Sequence, residues 1–252
     1  MKKKDLKILL SFIIIFLCIG ITMYAVNLNK NNQKKKLDTS FIINGISYWQ
    51  YIDKKWKNIY SIDDIDWDLF KVYSSNEYID NYYITTNQTK LYFFDKKNNS
   101  HNVSRPFLAI NKDSIIAPIN YRGENLNNTD YNNILEYLQE LKIKYNGEYS
   151  LAMKYTADIN GDNNDEDIYI VSNELYSDQT FYLIFAKVEN KYITINKQVN
   201  KDEITKYDIS WIINIKNKNY YDIILSTMTK ENNEYHLYEY DKNNNYKEIT
   251  PD

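Results

Sequence analysis

Nineteen consecutive uncharged residues, ILLSFIIIFLCIGITMYAV (Ile8–Val26), partition this chain before any other feature can be read. As a helix rising 1.5 Å per residue, such a run spans the roughly 30 Å hydrocarbon core of a bilayer. The sequence therefore predicts a short N-terminal tail (1–7), a transmembrane anchor (8–26) and a polar stalk (27–40) ahead of the folded part. Cleavage is not expected, because a signal peptidase needs small residues at the last and third-last positions, and before Val26 these are Ala25 and Met23. Leu17 likewise stands where a lipid-modified Cys18 would need a small neighbour. Lysines flank both ends of the run, Lys2, Lys3, Lys4 and Lys7 before it and Lys30, Lys34, Lys35 and Lys36 after it. The tail lysines lie closer to the apolar run, and long domains translocate with little regard to charge. The expectation is a single-pass cell-membrane protein with the bulk of the chain extracytoplasmic and no folded module on the tail side. The stalk reads as a flexible spacer; its lysines touching anionic headgroups is the alternative.

Charge narrows the partners. A net charge of −3, with lysines interleaved among acids, offers no basic face for phosphate, so no nucleic-acid partner is expected. Cys18, the one cysteine, lies in the apolar run, which leaves the exported part without an internal disulfide. The excess of Lys, Asn, Ile, Tyr and Phe is the residue set an AT-rich genome writes. Asn-rich sequence also makes the glycosylation patterns NQT, NNS, NVS and NNT by chance.

Past the stalk the text turns to strands. FIINGISYWQYIDKKWKNIY and NYYITTNQTKLYFFDKKNN, in an N-terminal β-rich part (41–126), carry aromatic and β-branched runs broken by Asn-rich turns. Asp64, Asp66 and Asp68 alternate with Ile65, Trp67 and Leu69, a solvated face opposite a core face if extended. One helix interrupts the strands (127–147), with Ile134, Leu138 and Leu141 at helical spacing and Leu135 beside them; Thr129 or Asp130 is placed to cap its start and Gly147 to close its end. A C-terminal β-rich repeat part follows (148–252), where DIYIVS (Asp167–Ser172) returns as DIILST (Asp222–Thr227), and LYFFDKKNN earlier in the chain echoes LYEYDKNNN near its end. The fold class expected is mainly β: an antiparallel meander of propeller-like or sandwich-like sheets with one covering helix, preceded by the N-terminal transmembrane helix.

Chemistry concentrates in DINGDNNDED. Asp158, Asn160 and Asp162 occupy the first, third and fifth positions of a tight loop, and the Asn164 carbonyl is a fourth oxygen donor. An all-oxygen set suits calcium better than zinc. An EF-hand is excluded, since Asn163 replaces its glycine and Tyr169 its bidentate glutamate. The competing reading is a plain polar turn, because Asp and Asn favour turns regardless of metal.

The same residues resemble the calcium loop of FG-GAP and VCBS repeats, in which Asp-x-Asn-Gly-Asp-Gly and a later acid join two strands. Asp158, Asn160, Gly161 and Asp162 match as they stand, Glu166 or Asp167 supplies the later acid, and Asn163 takes the place of the second glycine. The resemblance covers about a dozen residues and implies a β-repeat fold with calcium held by Asp158, Asn160, Asp162 and either Glu166 or Asp167, to which the loop spacing adds the Asn164 carbonyl.

No nucleophile elbow, phosphate-cradling glycine loop or zinc spacing is present, and His101 and His236 stand alone in sequence. The function expected is a non-enzymatic cell-surface binding or interaction module, calcium-stabilised, with exposed Tyr, Trp and Asn available to a protein or glycan. Paired carboxylates for glycoside hydrolysis meet only in the fold. An exported hydrolase acting on wall or extracellular polymer is therefore the alternative, with an envelope-complex accessory or immunity-type protein beside it.

Overall fold

The structure, a computed structural model, describes residues 40–249 apart from 45–46, 53–54, 60–67, 75–76, 88–89, 113, 146–147, 175–178, 202, 216–219, 228–233 and 241–244. The expected tail, anchor and nearly all of the stalk lie outside the described residues, as do Asp64, Asp66 and Gly147. Among the described residues no helix is long and apolar enough to cross a membrane.

Among the described residues the fold is mainly β, with antiparallel sheets and one long helix, as the alternating runs predict. In chain order the strands are β1 (Ser40–Ile43), β2 (Ser47–Ile52), β3 (Lys55–Ile59), β4 (Asp68–Ser74), β5 (Glu77–Asn87), β6 (Lys90–Phe94), β7 (Ser100–His101), β8 (Phe107–Asn111), β9 (Ile116–Ile119) and β10 (Arg122–Glu124). The helix α1 (Asn128–Glu140) follows, and then β11 (Leu151–Ala157), β12 (Glu166–Asn173), β13 (Phe181–Val188), β14 (Lys191–Val199), β15 (Tyr207–Ile215), β16 (Asp222–Thr227), β17 (Tyr235–Tyr240) and β18 (Tyr246–Glu248). An eight-stranded sheet has the order β3-β2-β1-β8-β4-β5-β6-β7. A helix-side sheet runs β10-β11-β12-β13-β14, and a central sheet β18-β17-β16-β15-β9. The short hairpin-like segment from β9 to β10 thus gives its first strand to one five-stranded sheet and its second to the other. DIYIVS and DIILST lie on β12 and β16, the middle strands of those two sheets, so the repeat in the text coincides with a repeat in strand position.

The three sheets stack face to face with α1 outermost. Ile134, Tyr137 and Leu138 of α1 pack on Tyr169, Val171, Phe181, Leu183 and Phe185 of the helix-side sheet. Its other face, including Ile168, Ile170, Tyr182 and Ile184, meets Ile209, Ile212, Ile223 and Leu225 of the central sheet. The central sheet's far side, Trp211, Ile213, Ile224 and Leu237, meets Phe41, Ile43, Trp49, Trp56, Leu108 and Ile110 of the eight-stranded sheet. Simple alternation would put Ile209 and Trp211 on one face. A register shift between them in β15 sends Ile209 toward one neighbouring sheet and Trp211 toward the other.

The eight-stranded sheet is strongly curled. Phe107 on β8 and Phe93 on β6 stand three strand spacings apart, about 14 Å if the sheet were flat. Their rings meet edge-on at 5.3 Å, so the sheet bends around its own cluster, which also holds Ile42, Phe70, Val72 and Ile84.

Helix α1 is capped two or three residues earlier than expected. Asn127 is the cap: its side chain accepts from the Thr129 and Asp130 N–H groups, and the Asp130 carboxylate returns a bond to the Asn127 N–H at 2.8 Å. It also ends earlier. Lys142 adopts a left-handed φ of 55°, its N–H donates to Gln139 O and the Ile143 N–H donates to Leu138 O, closing the helix without a glycine.

Candidate functional site

The acid-rich loop joins β11 to β12 on the side facing the central sheet. Asp158 accepts from the Gly161 N–H at 2.7 Å and the Asn163 N–H at 3.0 Å, while Asn160 and Asp162 accept from the Asp162 and Asn164 N–H groups at 2.9 and 2.7 Å. Gly161 and Asn163 sit at φ of 76° and 68°, the left-handed positions that such a chain of side-chain turns requires. The loop is pinned to the central sheet by Tyr221, whose N–H donates to Ile159 O at 2.9 Å. The Asn164 N–H above all holds the Asp162 carboxyl below its ordinary range.

Glu166, the first residue of β12, turns inward and is 6% exposed. Its carboxylate accepts from the Ile159 N–H at 2.8 Å. Burial pushes its pKa up to about 7, and the negative charges of Asp162 and Asp158 add to the rise. Asp158, Asn160, Asp162, Asn164 and Glu166 therefore belong to one loop and its exit. Asp167 does not: strand alternation turns it to the opposite face of the sheet, where it pairs with Lys154 at 2.9 Å. Asp165 lies toward that same face and meets Arg122, whose cross-strand partner Thr156 stands opposite Asp167, at 3.4 Å. Among the described residues no three His, Cys, Asp or Glu side chains converge closely enough to form a metal-binding group. The donor chemistry nonetheless suits a hard cation, since every side-chain donor in the loop is oxygen and a carboxylate oxygen that accepts one N–H keeps a second lone pair.

Under α1 lies a second polar cluster. Lys154 (8% exposed) donates to Asp130 (2% exposed) at 3.0 Å and stands 3.8 Å from Glu124. Tyr169 donates to Asp130 at 2.8 Å, and Asn133 donates to the Tyr169 hydroxyl at 3.1 Å while accepting from Lys187 at 2.7 Å. Burial alone would raise the Asp130 pKa, yet the Asn127 N–H, Lys154 and Tyr169 together hold it low; burial would lower Lys154, but Asp167 and Asp130 hold it high. Positions 130, 133, 134, 137 and 138 form one stripe down α1, of which the aliphatic pattern reveals only part.

Above Lys154 opens a shallow cleft of 820 Å³ along β10 and β11, lined by Gly123, Glu124, Asn125, Leu126, Tyr131, Met153 and Tyr155. Tyr131, exposed at the rim, stacks on Tyr149, which stacks in turn on Tyr145, and Tyr121 meets Tyr155 edge-on. The cleft offers aromatic faces, an amide and a paired charge in its floor. It lay outside the sequence expectation because its residues come from positions 123–131 and 152–155, none of which forms a motif alone.

The two histidines are each paired with an acid, and both pairs are far from this cleft in sequence: His101 lies 3.2 Å from Asp95, and His236 lies 2.7 Å from Glu248. His236 in turn holds the Glu248 carboxyl below its usual range. No known protein family, curated protein or solved structure matches this chain.

Proposed function

We propose that this chain is an exported binding module, anchored in the cell membrane by residues 8–26, which holds a glycan-like ligand in the cleft above Lys154. The cleft carries the reading: it is shallow, has Tyr131 and Tyr155 in its walls with Tyr131 backed by its stack on Tyr149, and is furnished with Asn125 and Glu124 at its lip. Sugar rings present apolar faces to aromatic walls and hydroxyls to amides and carboxylates, and Tyr supplies both kinds of contact at little entropic cost. The buried Lys154 ion pairs keep the floor fixed, so the rim rather than the floor discriminates ligands. Cosedimentation of the full-length protein with insoluble cell-wall polymer tests this. Tyr131→Ala and Asn125→Ala should each leave folding intact and reduce the pelleted fraction severalfold. Undiminished pelleting in both variants overturns the assignment, and release of reducing ends from the polymer replaces it with the hydrolase reading.

The acid loop supports a second, structural role in the same module. Asp158, Asn160, Asp162, Glu166 and the Asn164 carbonyl would hold calcium, in line with the FG-GAP and VCBS resemblance, and Asp167 leaves the expected set. Calcium there supplies positive charge against three carboxylates. At a hundredfold excess over Kd it adds about 2.7 kcal/mol to stability. Asp158→Asn/Asp162→Asn should abolish the rise in melting temperature that millimolar calcium produces in the wild type. The same melting temperature in chelator and in calcium leaves a polar turn.

A further inference from the structure

The curled sheet encloses a pocket of its own, remote from the cleft and the acid loop in sequence. Its volume is 520 Å³, and its walls include Leu91, Phe93, Val103 and Phe107 together with Asn44, Lys90, His101 and Arg105. Three features give it a chemistry. First, the inner walls are apolar and aromatic: Phe93 and Phe107 are buried at 6% and 4% exposure and fixed edge-on to one another, and Tyr82 stands edge-on to Phe93. Second, the back is rigid. The Asn44 side chain accepts from the Phe107 N–H at 2.6 Å and donates to the Tyr235 hydroxyl of the central sheet, so the pocket cannot collapse without breaking the contact between sheets. Third, the rim charge has one sign, while the Asp95 carboxylate behind the lining His101 is engaged by that histidine at 3.2 Å and by the Asn99 amide at 2.9 Å. Lys90 and Arg105 are exposed at the rim with no ion-pair partner among the described residues, and no acid lines the walls, in a chain whose net charge is −3.

We propose that this pocket binds a small aromatic carboxylate, its planar apolar body against the wall that Phe93 and Phe107 form together and its anionic head toward Lys90 and Arg105. The volume falls inside the roughly 300–1,000 Å³ range of small-molecule sites. Ring edges of Phe93 and Phe107 favour a flat aromatic body over a saturated chain. Arginine favours a carboxylate because its planar fork matches two oxygens at once. The strand edge adds access: β7 pairs with β6 only at Phe93 and Phe94, so the Lys90–Tyr92 stretch borders the pocket mouth instead of a full neighbouring strand. The site does not depend on the glycan reading, since it shares no lining residue with the cleft above Lys154.

Isothermal titration of the full-length protein in neutral detergent micelles, with heats from micelles alone subtracted, tests the assignment using 1-naphthoate and its uncharged isostere 1-naphthamide. The expected result is saturable one-to-one binding of naphthoate, at least tenfold weaker binding of the amide, and at least tenfold loss of naphthoate affinity in Lys90→Ala/Arg105→Ala. Both substitutions are at exposed positions, so an unchanged melting temperature should accompany the loss. Tyr131→Ala, which alters the other cleft, should bind naphthoate as the wild type does. Three outcomes would each overturn the proposal: no saturable heat at millimolar naphthoate, equal affinity for acid and amide, or full affinity in the double variant.

Discussion

Gly161 makes the acid loop depend on its neighbour across the sheets. Its φ of 76° already disfavours a side chain, and a Cβ built there would stand 3.0 Å from the Tyr221 hydroxyl and 3.5 Å from the ring carbon bearing it. Gly161→Ala should therefore cost about 1–2 kcal/mol, combining left-handed strain with a steric push on Tyr221. Tyr221→Phe in the same chain removes the nearest atom and should recover part of that loss; identical stability of the single and double variants in urea unfolding would assign the whole cost to the backbone. Glu166 carries the second residue-scale consequence. Its pKa is raised above the ordinary carboxylate value, to about 7, by burial and by Asp162 and Asp158. The folded state thus holds a proton that the unfolded chain has already lost, and the stability this group contributes is full below its unfolded pKa and is lost as pH rises through about 7. In chelator, melting temperatures should fall between pH 5 and pH 8, and Glu166→Gln, which still accepts from the Ile159 N–H, should flatten the fall. If the loop holds calcium as proposed, the cation would compete with that proton, and its stabilising effect should then be larger at pH 8 than at pH 5. A Gln variant with the wild-type slope would locate the titration elsewhere.

At the scale of elements, Asp130 ties the start of α1 to the sheet beneath it, accepting from the Asn127 N–H, Lys154 and Tyr169 at once. Asp130→Ala removes half of the capping box and leaves Lys154 buried with Asp167 as its nearest partner. The expected loss is about 3–5 kcal/mol, the range for breaking a buried pair by deleting one partner. Asp130→Leu/Lys154→Met should cost less than the sum of its single changes, and additive losses in denaturant unfolding would remove the coupling. How α1 was legible in the sequence follows from the same residues. Ile134 and Leu138 announce a helix because aliphatic periodicity is a local signal. Asp130 and Asn133 complete the buried stripe, but a polar residue reads as surface until a partner 24 or 36 positions away, Lys154 or Tyr169, is placed against it. The helix end misled for a related reason: Gly147 looks like a stop, yet Lys142 takes the left-handed position five residues sooner because Ile143 gains a place in the core beside Leu138. In the acid loop the spacing of Asp158, Asn160 and Asp162 predicted the turn, while strand parity alone separates Glu166 from Asp167, and parity needs to be counted from a known strand start.

Across the whole molecule, tyrosine is the fastener between layers. Tyr121 donates to Ile209 O at 2.7 Å and Tyr155 to Asp208 at 2.8 Å, and Tyr182 bonds the backbone of Tyr207. An excess that reads as compositional bias in the sequence thus serves the fold, because each ring fills the apolar gap between sheets while its hydroxyl satisfies a backbone or side-chain group there. Trp56 does the same between the central and eight-stranded sheets, donating to the fully buried Asp222 at 2.8 Å. Because the central sheet is buried on both faces, neither outer sheet can separate without exposing one of its clusters. The layers should therefore unfold in a single transition. Trp49, Trp56 and Trp211 all lie in the cluster between the central and eight-stranded sheets, so tryptophan fluorescence reports chiefly on that interface, whereas far-ultraviolet circular dichroism reports on all three sheets. Denaturant curves from the two probes should coincide. Trp211→Ala should lower both midpoints together by an amount equivalent to about 3–5 kcal/mol, the cost of emptying a large aromatic site. Among the described residues its indole N–H has no hydrogen-bond partner, so Trp211→Phe should cost clearly less than Trp211→Ala. A fluorescence midpoint that falls in Trp211→Ala while the dichroism midpoint stays in place would show the eight-stranded sheet unfolding apart from the two five-stranded ones.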